Sequence, residues 1–125
     1  MNYSRLIEKD YKYVINELRY ITERLPLYPT IKVILETCYL TPDQIISACL
    51  LIRKVPRVSF VKTSTGFGSG GASIEAVTIM KEAIAGSWLQ MKASGGINTY
   101  QDACTFLDLG CTRLGSSKWK EILPD

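Results

Sequence analysis

Two lysines hold comparable places in this sequence, each closing a short run with strand character. Lys62 ends Val58-Ser59-Phe60-Val61-Lys62, and Lys92 ends Trp88-Leu89-Gln90-Met91-Lys92. A lysine at the end of a buried parallel strand is costly unless it is paired or used. Two ammonium groups converging there repel, which lowers the pKa of one and leaves a neutral amine able to attack a carbonyl and form an imine. The alternative is that both side chains snorkel from the strand ends into water. Spacing alone leaves the two readings open.

The sequence contains no histidine. Ser–His and Cys–His nucleophile pairs are therefore excluded, and acid–base chemistry falls to Lys, Asp, Glu, Tyr or water. Cys38, Cys49, Cys104 and Cys111 show no C-x-x-C spacing, which speaks against both a zinc site and a disulfide framework. They read as small apolar residues with reduced thiols, a pattern that points to the cytoplasm.

Glycine-rich loops give a second signal. Gly95-Gly96 precede a helix capped by Thr99, and Gly115-Ser116-Ser117 precede a short last helix. Each is expected to present backbone N–H groups at a helix N-terminus, a place that binds phosphate. Either alone is ordinary turn chemistry; two on successive units beside paired lysines weigh more. Lys32 and Glu36 share one face of an earlier run. They form a buried ion pair, or Lys32 helps to set the charge around Lys62. Trp88 and Trp119 read as packing residues.

The elements that must carry these residues alternate regularly. Tyr11–Leu25 has a helical stripe of Tyr11, Val14, Leu18, Ile21 and Leu25, closed by Pro26. Ile31–Glu36 is β-branched and reads as a strand. Thr41, Pro42 and Gln44 supply an N-cap, an N1 proline and a capping box for a helix to about Lys54. Strand Val58–Lys62 leads through the loop Gly66–Gly71 to a helix from Ser73 to about Ala85. Strand Trp88–Lys92 is followed by a helix from Thr99 to Leu109, with Gly110 as its C′ glycine. Thr112–Leu114 is the last strand.

One helix followed by four strand–helix units implies α/β architecture, with parallel strands and helical crossovers. Such a set fits a small open sheet or half of a (β/α)8 barrel, and periodicity does not choose between them. The 125 residues, 46% hydrophobic and 22% charged, suit a single globular domain over the whole chain. The net charge of +3 is mild and its lysines and arginines are scattered, so no nucleic-acid footprint is expected. No apolar run approaches the roughly 20 residues of a bilayer span, so no membrane partner is expected either.

With these motifs in hand, a resemblance is plain. KVILETCYLT, FVKTSTGFGSGGASIEAV, MKASGGINTYQDA and the more diverged GCTRLGSSK resemble the second half of the deoxyribose-phosphate aldolase family, in the same order and spacing. The resemblance covers nearly the whole chain and implies the C-terminal half of a (β/α)8 TIM barrel. It further implies a class I aldolase that needs no metal or cofactor. Such enzymes reversibly cleave 2-deoxy-D-ribose 5-phosphate to D-glyceraldehyde 3-phosphate and acetaldehyde through a lysine Schiff base. Carried over by motif, Lys62 is the Schiff-base lysine and Lys92 the partner that lowers its pKa. Gly95, Gly96, Gly115, Ser116 and Ser117 match the loops that hold the substrate phosphate. Thr65 and Gly66 belong with the substrate in the same way, and Lys32 matches a lysine near the reacting centre.

The chain also departs from the family pattern. Asn98 stands where an arginine is common, Lys118 follows Ser117 where a small residue is usual, and the tail KWKEILPD is shorter and more polar. No residue matches the family's proton-shuttling aspartate, and Asp10 is not a substitute. Imine formation is therefore expected to exceed turnover. The alternative is a catalytically impaired half-barrel that binds phosphorylated sugar or needs a partner chain. Ile34, Val58, Phe60 and Met91 are expected on the inner face of the strands. An exposed apolar face favours a homo-oligomer or a second half-barrel chain that completes the structure.

Overall fold

The computed structural model describes residues 1–123, so the last two residues of the KWKEILPD tail lie outside the described residues. A short helix, α1 (Tyr3–Ile7), precedes α2 (Tyr11–Arg24). Four units follow: β1 (Ile31–Ile34) with α3 (Pro42–Ile52), β2 (Val58–Lys62) with α4 (Ile74–Ile84), β3 (Gln90–Ser94) with α5 (Tyr100–Asp108), and β4 (Arg113–Gly115) with α6 (Trp119–Ile122). A 3-10 turn at Thr37–Tyr39 links β1 to α3.

The helix starts follow from the sequence. Thr41 and Gln44 form a reciprocal capping box on α3, Thr99 and Asp102 do so on α5, and the Ser73 hydroxyl accepts from the Ala76 amide on α4. At the end of α5 the Cys111 amide donates to Phe106 O and the Gly110 amide to Leu107 O, the Schellman pairing that a C′ glycine allows. Among the described residues no helix is long and apolar enough to cross a membrane.

All strands are parallel in the order β1-β2-β3-β4. This order decides what periodicity left open. A doubly wound sheet reverses its strand order at a switch point; here each crossover steps the same way, as in a barrel segment. Right-handed crossovers then lay the helices on one face. Val33, Val61, Met91 and Ala93 point into that sheet–helix core, with Ile52, Val77, Met80 and Phe106 from the helices.

Several expected boundaries and faces shift. β3 begins two residues later than its apolar run suggests, because Trp88 lies outside the ladder and donates its indole N–H to Val58 O at 2.8 Å. Lys92 is therefore mid-strand, and β4 runs one residue further, to Gly115. The buried stripe of α2 is Val14, Leu18 and Thr22; Tyr11, Ile21 and Leu25 are exposed.

The inner face also differs from expectation. Met91 faces the helices and lies in the core rather than on the open side, while Val58, which shares its strand face with Phe60 and Lys62, is fully buried at the strand start. The open face instead carries Lys32, Phe60 and Gln90 on one level and Ile34, Lys62, Lys92 and Arg113 on the next, as strand register and alternation require. Phe60 is buried beneath two cations: Lys32 Nζ lies 5.7 Å and Arg113 Cζ 4.8 Å from its ring centre. The face expected to be apolar is cationic.

Candidate active site

Lys62 and Lys92 are register partners on neighbouring parallel strands. They project from the same face, with strands spaced about 4.8 Å apart. Lys62 is half-buried, and its pKa is held below the usual lysine value. Partial burial is the largest cause, followed by the Lys92 ammonium, with Lys32 adding a smaller push; Glu36 opposes all three. Lys32 thus contributes charge around Lys62. It makes no ion pair with Glu36 among the described residues, because the Glu36 carboxylate turns away to accept from the Thr65 amide (3.1 Å) and hydroxyl.

Beside Lys62 opens a cavity of about 480 Å3. Its walls stand at the C-terminal ends of three strands: Thr65 and Gly66 after β2, Ser94 to Asn98 from the last residue of β3 onward, and Gly115, Ser116 and Ser117 from the last residue of β4. The structure thereby brings together eight of the ten residues singled out in the sequence. Lys32 and Lys92 lie outside the lining. Lys92 reaches the wall from behind: a Cβ on Gly115 would stand 3.2 Å from Lys92 Cε and 3.1 Å from Ser94 Cβ.

The loops are tied to one another. Gly71 and Gly95 pass backbone to backbone, and the Ala72 amide donates to both Ser94 O and Gly95 O at 3.0 Å. Ser116 Oγ donates to Ile97 O at 2.6 Å and accepts from the Lys118 amide at 2.9 Å. Its single hydroxyl proton is thus engaged, which leaves the backbone N–H as what Ser116 offers an anion.

The helix termini contribute less than their sequences suggest. The Asp102 carboxylate already accepts from the Asn98 and Thr99 amides, at 3.0 Å each. These bonds, the Asn98 amide first, hold its pKa below the usual carboxylate value. α6 is a single turn with no side-chain cap. An anion here would rest chiefly on the amides of the Gly95-Gly96 and Gly115–Ser117 loops, a concave array suited to phosphate.

Sequence reasoning missed Arg113, the register partner of Lys92; its only signal was alternation on a short strand. It also undervalued Ser94, whose hydroxyl donates to Ser64 O and whose amide donates to Thr63 Oγ1 at 3.1 Å. Asn98, marked as a departure, does line the cavity, with its amide nitrogen folded back on Gly96 O at 3.3 Å. Asp10 caps α2 through the Tyr13 amide and faces Arg5, far in sequence from the lysines. Among the described residues no group of His, Cys, Asp and Glu is placed to hold a metal.

Fold and site together define half of a (β/α)8 barrel with a paired-lysine cavity at the C-terminal ends of its strands. No family model matches the chain. It is 42% identical over 127 residues to the deoxyribose-phosphate aldolase of Thermoanaerobacter sp. (strain X514), a match spanning 100% of this chain and 56% of that one. It is 40% identical over 124 residues to that of Thermococcus kodakarensis, covering 98% of this chain and 54% of the relative. Among solved structures, a putative deoxyribose-phosphate aldolase from Coccidioides immitis superimposes with a TM-score of 0.92 at 41% identity, over 98% of this chain and 48% of that one. The tetrameric deoxyribose phosphate aldolase of Aeropyrum pernix gives 0.81 at 26% identity, over 90% and 48%. The chain is a homologue of the deoxyribose-phosphate aldolases and spans about half the length of the curated relatives it matches.

Proposed function

We propose that this chain carries the Schiff-base and phosphate-binding half of a class I deoxyribose-phosphate aldolase site. The reaction is the reversible cleavage of 2-deoxy-D-ribose 5-phosphate to D-glyceraldehyde 3-phosphate and acetaldehyde. In this reading the neutral Lys62 amine attacks the aldehyde carbon of the open-chain sugar, and loss of water gives the imine. Lys92 keeps the Lys62 pKa low, and Lys32 adds to the local positive charge. The substrate phosphate rests on Gly95, Gly96, Gly115, Ser116 and Ser117, with Thr65 and Gly66 closing the third side.

One observation carries the proposal: a half-buried lysine with a lowered pKa lines a cavity whose other walls are glycine and serine backbone. A nucleophile and an anion cradle within one cavity suit a phosphorylated carbonyl substrate. The homology at about 40% identity supports the same chemistry.

The cationic inner face bears on partners. Lys32, Lys62, Lys92 and Arg113 line it, so a second copy closing the barrel would set like charges against one another. The complement that completes this site therefore carries carboxylates on its inner strand positions. The cytoplasm is the compartment in which we place the chain. The four cysteines support this, since all are free thiols in the structure; burial pushes Cys49 up to about 12, as befits a packing residue.

Borohydride reduction in the presence of acetaldehyde, followed by peptide mass spectrometry, tests the proposal. A reduced two-carbon adduct on Lys62 is expected. An unmodified Lys62, with adducts only on exposed lysines, would falsify it.

A further inference from the structure

Glu36 sits where the chain leaves β1, between two residues that extend the ladder to β2. The Leu35 amide donates to Lys62 O at 2.9 Å and the Thr37 amide to Thr63 O at 3.0 Å. Between them Glu36 adopts φ 62, ψ 59, a left-handed conformation that side chains other than glycine rarely take. Its side chain is buried, and the carboxylate is fully engaged with one turn of the next loop. One oxygen accepts from the Thr65 amide at 3.1 Å and the other from the Thr65 hydroxyl. The Thr65 hydroxyl in turn accepts from the Phe67 amide at 3.1 Å. Gly68 closes over the same group, since a Cβ there would stand 3.1 Å from Glu36 Oε1 and 2.8 Å from Cys38 Sγ.

A strained residue held in place by its neighbours is a place to look for function. Here the strain turns the carboxylate toward the start of the β2–α4 loop, whose Thr65 and Gly66 form a wall of the cavity. The charged groups that bear on Lys62 are Lys92 from β3, Lys32 from β1 and Glu36 from the turn after β1. Glu36 is the one acid among them.

We infer that Glu36 is a positioning residue for the Lys62 nucleophile, fixing the Thr65–Gly68 turn and supplying the counter-charge to the lysine cluster. Its functional meaning rests on the reading of Lys62 as the imine-forming lysine, but its physical content does not. The carboxylate raises the Lys62 pKa against burial and the two neighbouring ammonium groups. Without it, the amine would lose its proton at lower pH while the loop beside it loosened.

Competitive acetylation of the chain's amines with acetic anhydride across pH, read at Lys62 by mass spectrometry, measures that titration without any need for turnover. In Glu36→Gln the Lys62 midpoint is expected to move to lower pH, by about half a unit or more. Hydrogen exchange at the Phe67 amide should quicken about tenfold as the turn loosens. Thr65→Val separates the two roles: it keeps the charge, so the Lys62 midpoint stays, while Phe67 exchange still quickens. It also serves if Glu36→Gln does not fold.

An unchanged Lys62 midpoint in folded Glu36→Gln, or unchanged Phe67 exchange in Thr65→Val, would overturn the inference. Borohydride trapping run beside these distinguishes the two failures. A parent chain that forms no adduct defeats the aldolase reading while leaving the Lys62 titration readable.

Discussion

Gly71 and Gly95 touch through their backbones. A Cβ built on Gly71 would lie 2.3 Å from the Gly95 carbonyl carbon and oxygen, and one built on Gly95 would lie 2.9 Å from Gly71 Cα. Backbone cannot swing aside as a side chain can. Gly71→Ala is therefore expected to force the β2–α4 and β3–α5 loops apart, at a cost of about 2–3 kcal/mol. A thermal melt should show a fall of about 10 °C. A shift under about 2 °C would mean that the loops part freely.

The pH dependence of adduct formation follows from Lys62. Below its pKa the amine is protonated and inert; above it the amine attacks. Because burial and Lys92 lower that pKa, the trapping rate should rise and level off at lower pH than for an exposed lysine. Lys92→Met removes one ammonium and should move the curve toward alkaline pH. At neutral pH each unit of that shift costs about tenfold in rate. An identical pH curve for Lys92→Met would show that the pair does not interact.

The same lysine is expected to burden the fold. The unfolded chain keeps its Lys62 proton to higher pH than the folded one, so stability should rise with pH between the two pKa values. Lys62→Met abolishes adduct formation and should raise the melting temperature at neutral pH, with a smaller gain at alkaline pH. Equal melting temperatures for parent and variant across pH would contradict this.

Gly115 accommodates Lys92 rather than an unusual backbone angle. Gly115→Ala would press on Lys92 Cε and Ser94 Cβ, and the flexible lysine tip gives way more easily than the loop. Trapping at neutral pH should fall by about three- to tenfold, equivalent to about 0.7–1.4 kcal/mol, with little change in melting temperature. A large loss of stability instead would place the strain in the backbone.

Charge on the inner face is expected to govern self-association of the chain. Exposed charges are screened over about 3 Å at 1 M salt and about 10 Å at 0.1 M. Sedimentation velocity should therefore show more self-association in 1 M sodium chloride than in 0.1 M. The double variant Lys32→Glu with Arg113→Glu should associate already at low salt when mixed with the parent chain. Salt-independent behaviour in both would remove charge as the cause.

Much of this was legible in the sequence because it rests on local rules. The capping boxes at Thr41 and Thr99, the serine cap at Ser73 and the Gly110 terminus are each written within four residues. They place the helices, and alternation places the strands. What local rules could not supply was tertiary. The start of β3 depends on the Trp88 indole reaching Val58 across the sheet. Met91 faces the helices because of its register with Val61, not because of its own hydrophobicity. α1 depends on the Asn2 side chain accepting from the Arg5 amide, a cap at the very start of the chain that the polar sequence disguised. The left-handed Glu36 has no sequence signal, since its conformation is imposed by ladder bonds on either side.

The ties between the three loops extend beyond the shape of the cavity. Gly71 is wedged against Gly95, Ala72 is bonded to Ser94 and Gly95, and Ser116 is bonded to Ile97, so each loop is fastened to the one in the middle. Loops on a barrel rim ordinarily fluctuate one by one, each with its own small opening free energy. Here the middle loop cannot open without releasing both neighbours. The rim should behave as a single breathing unit, and a ligand that quiets one loop would quiet all three.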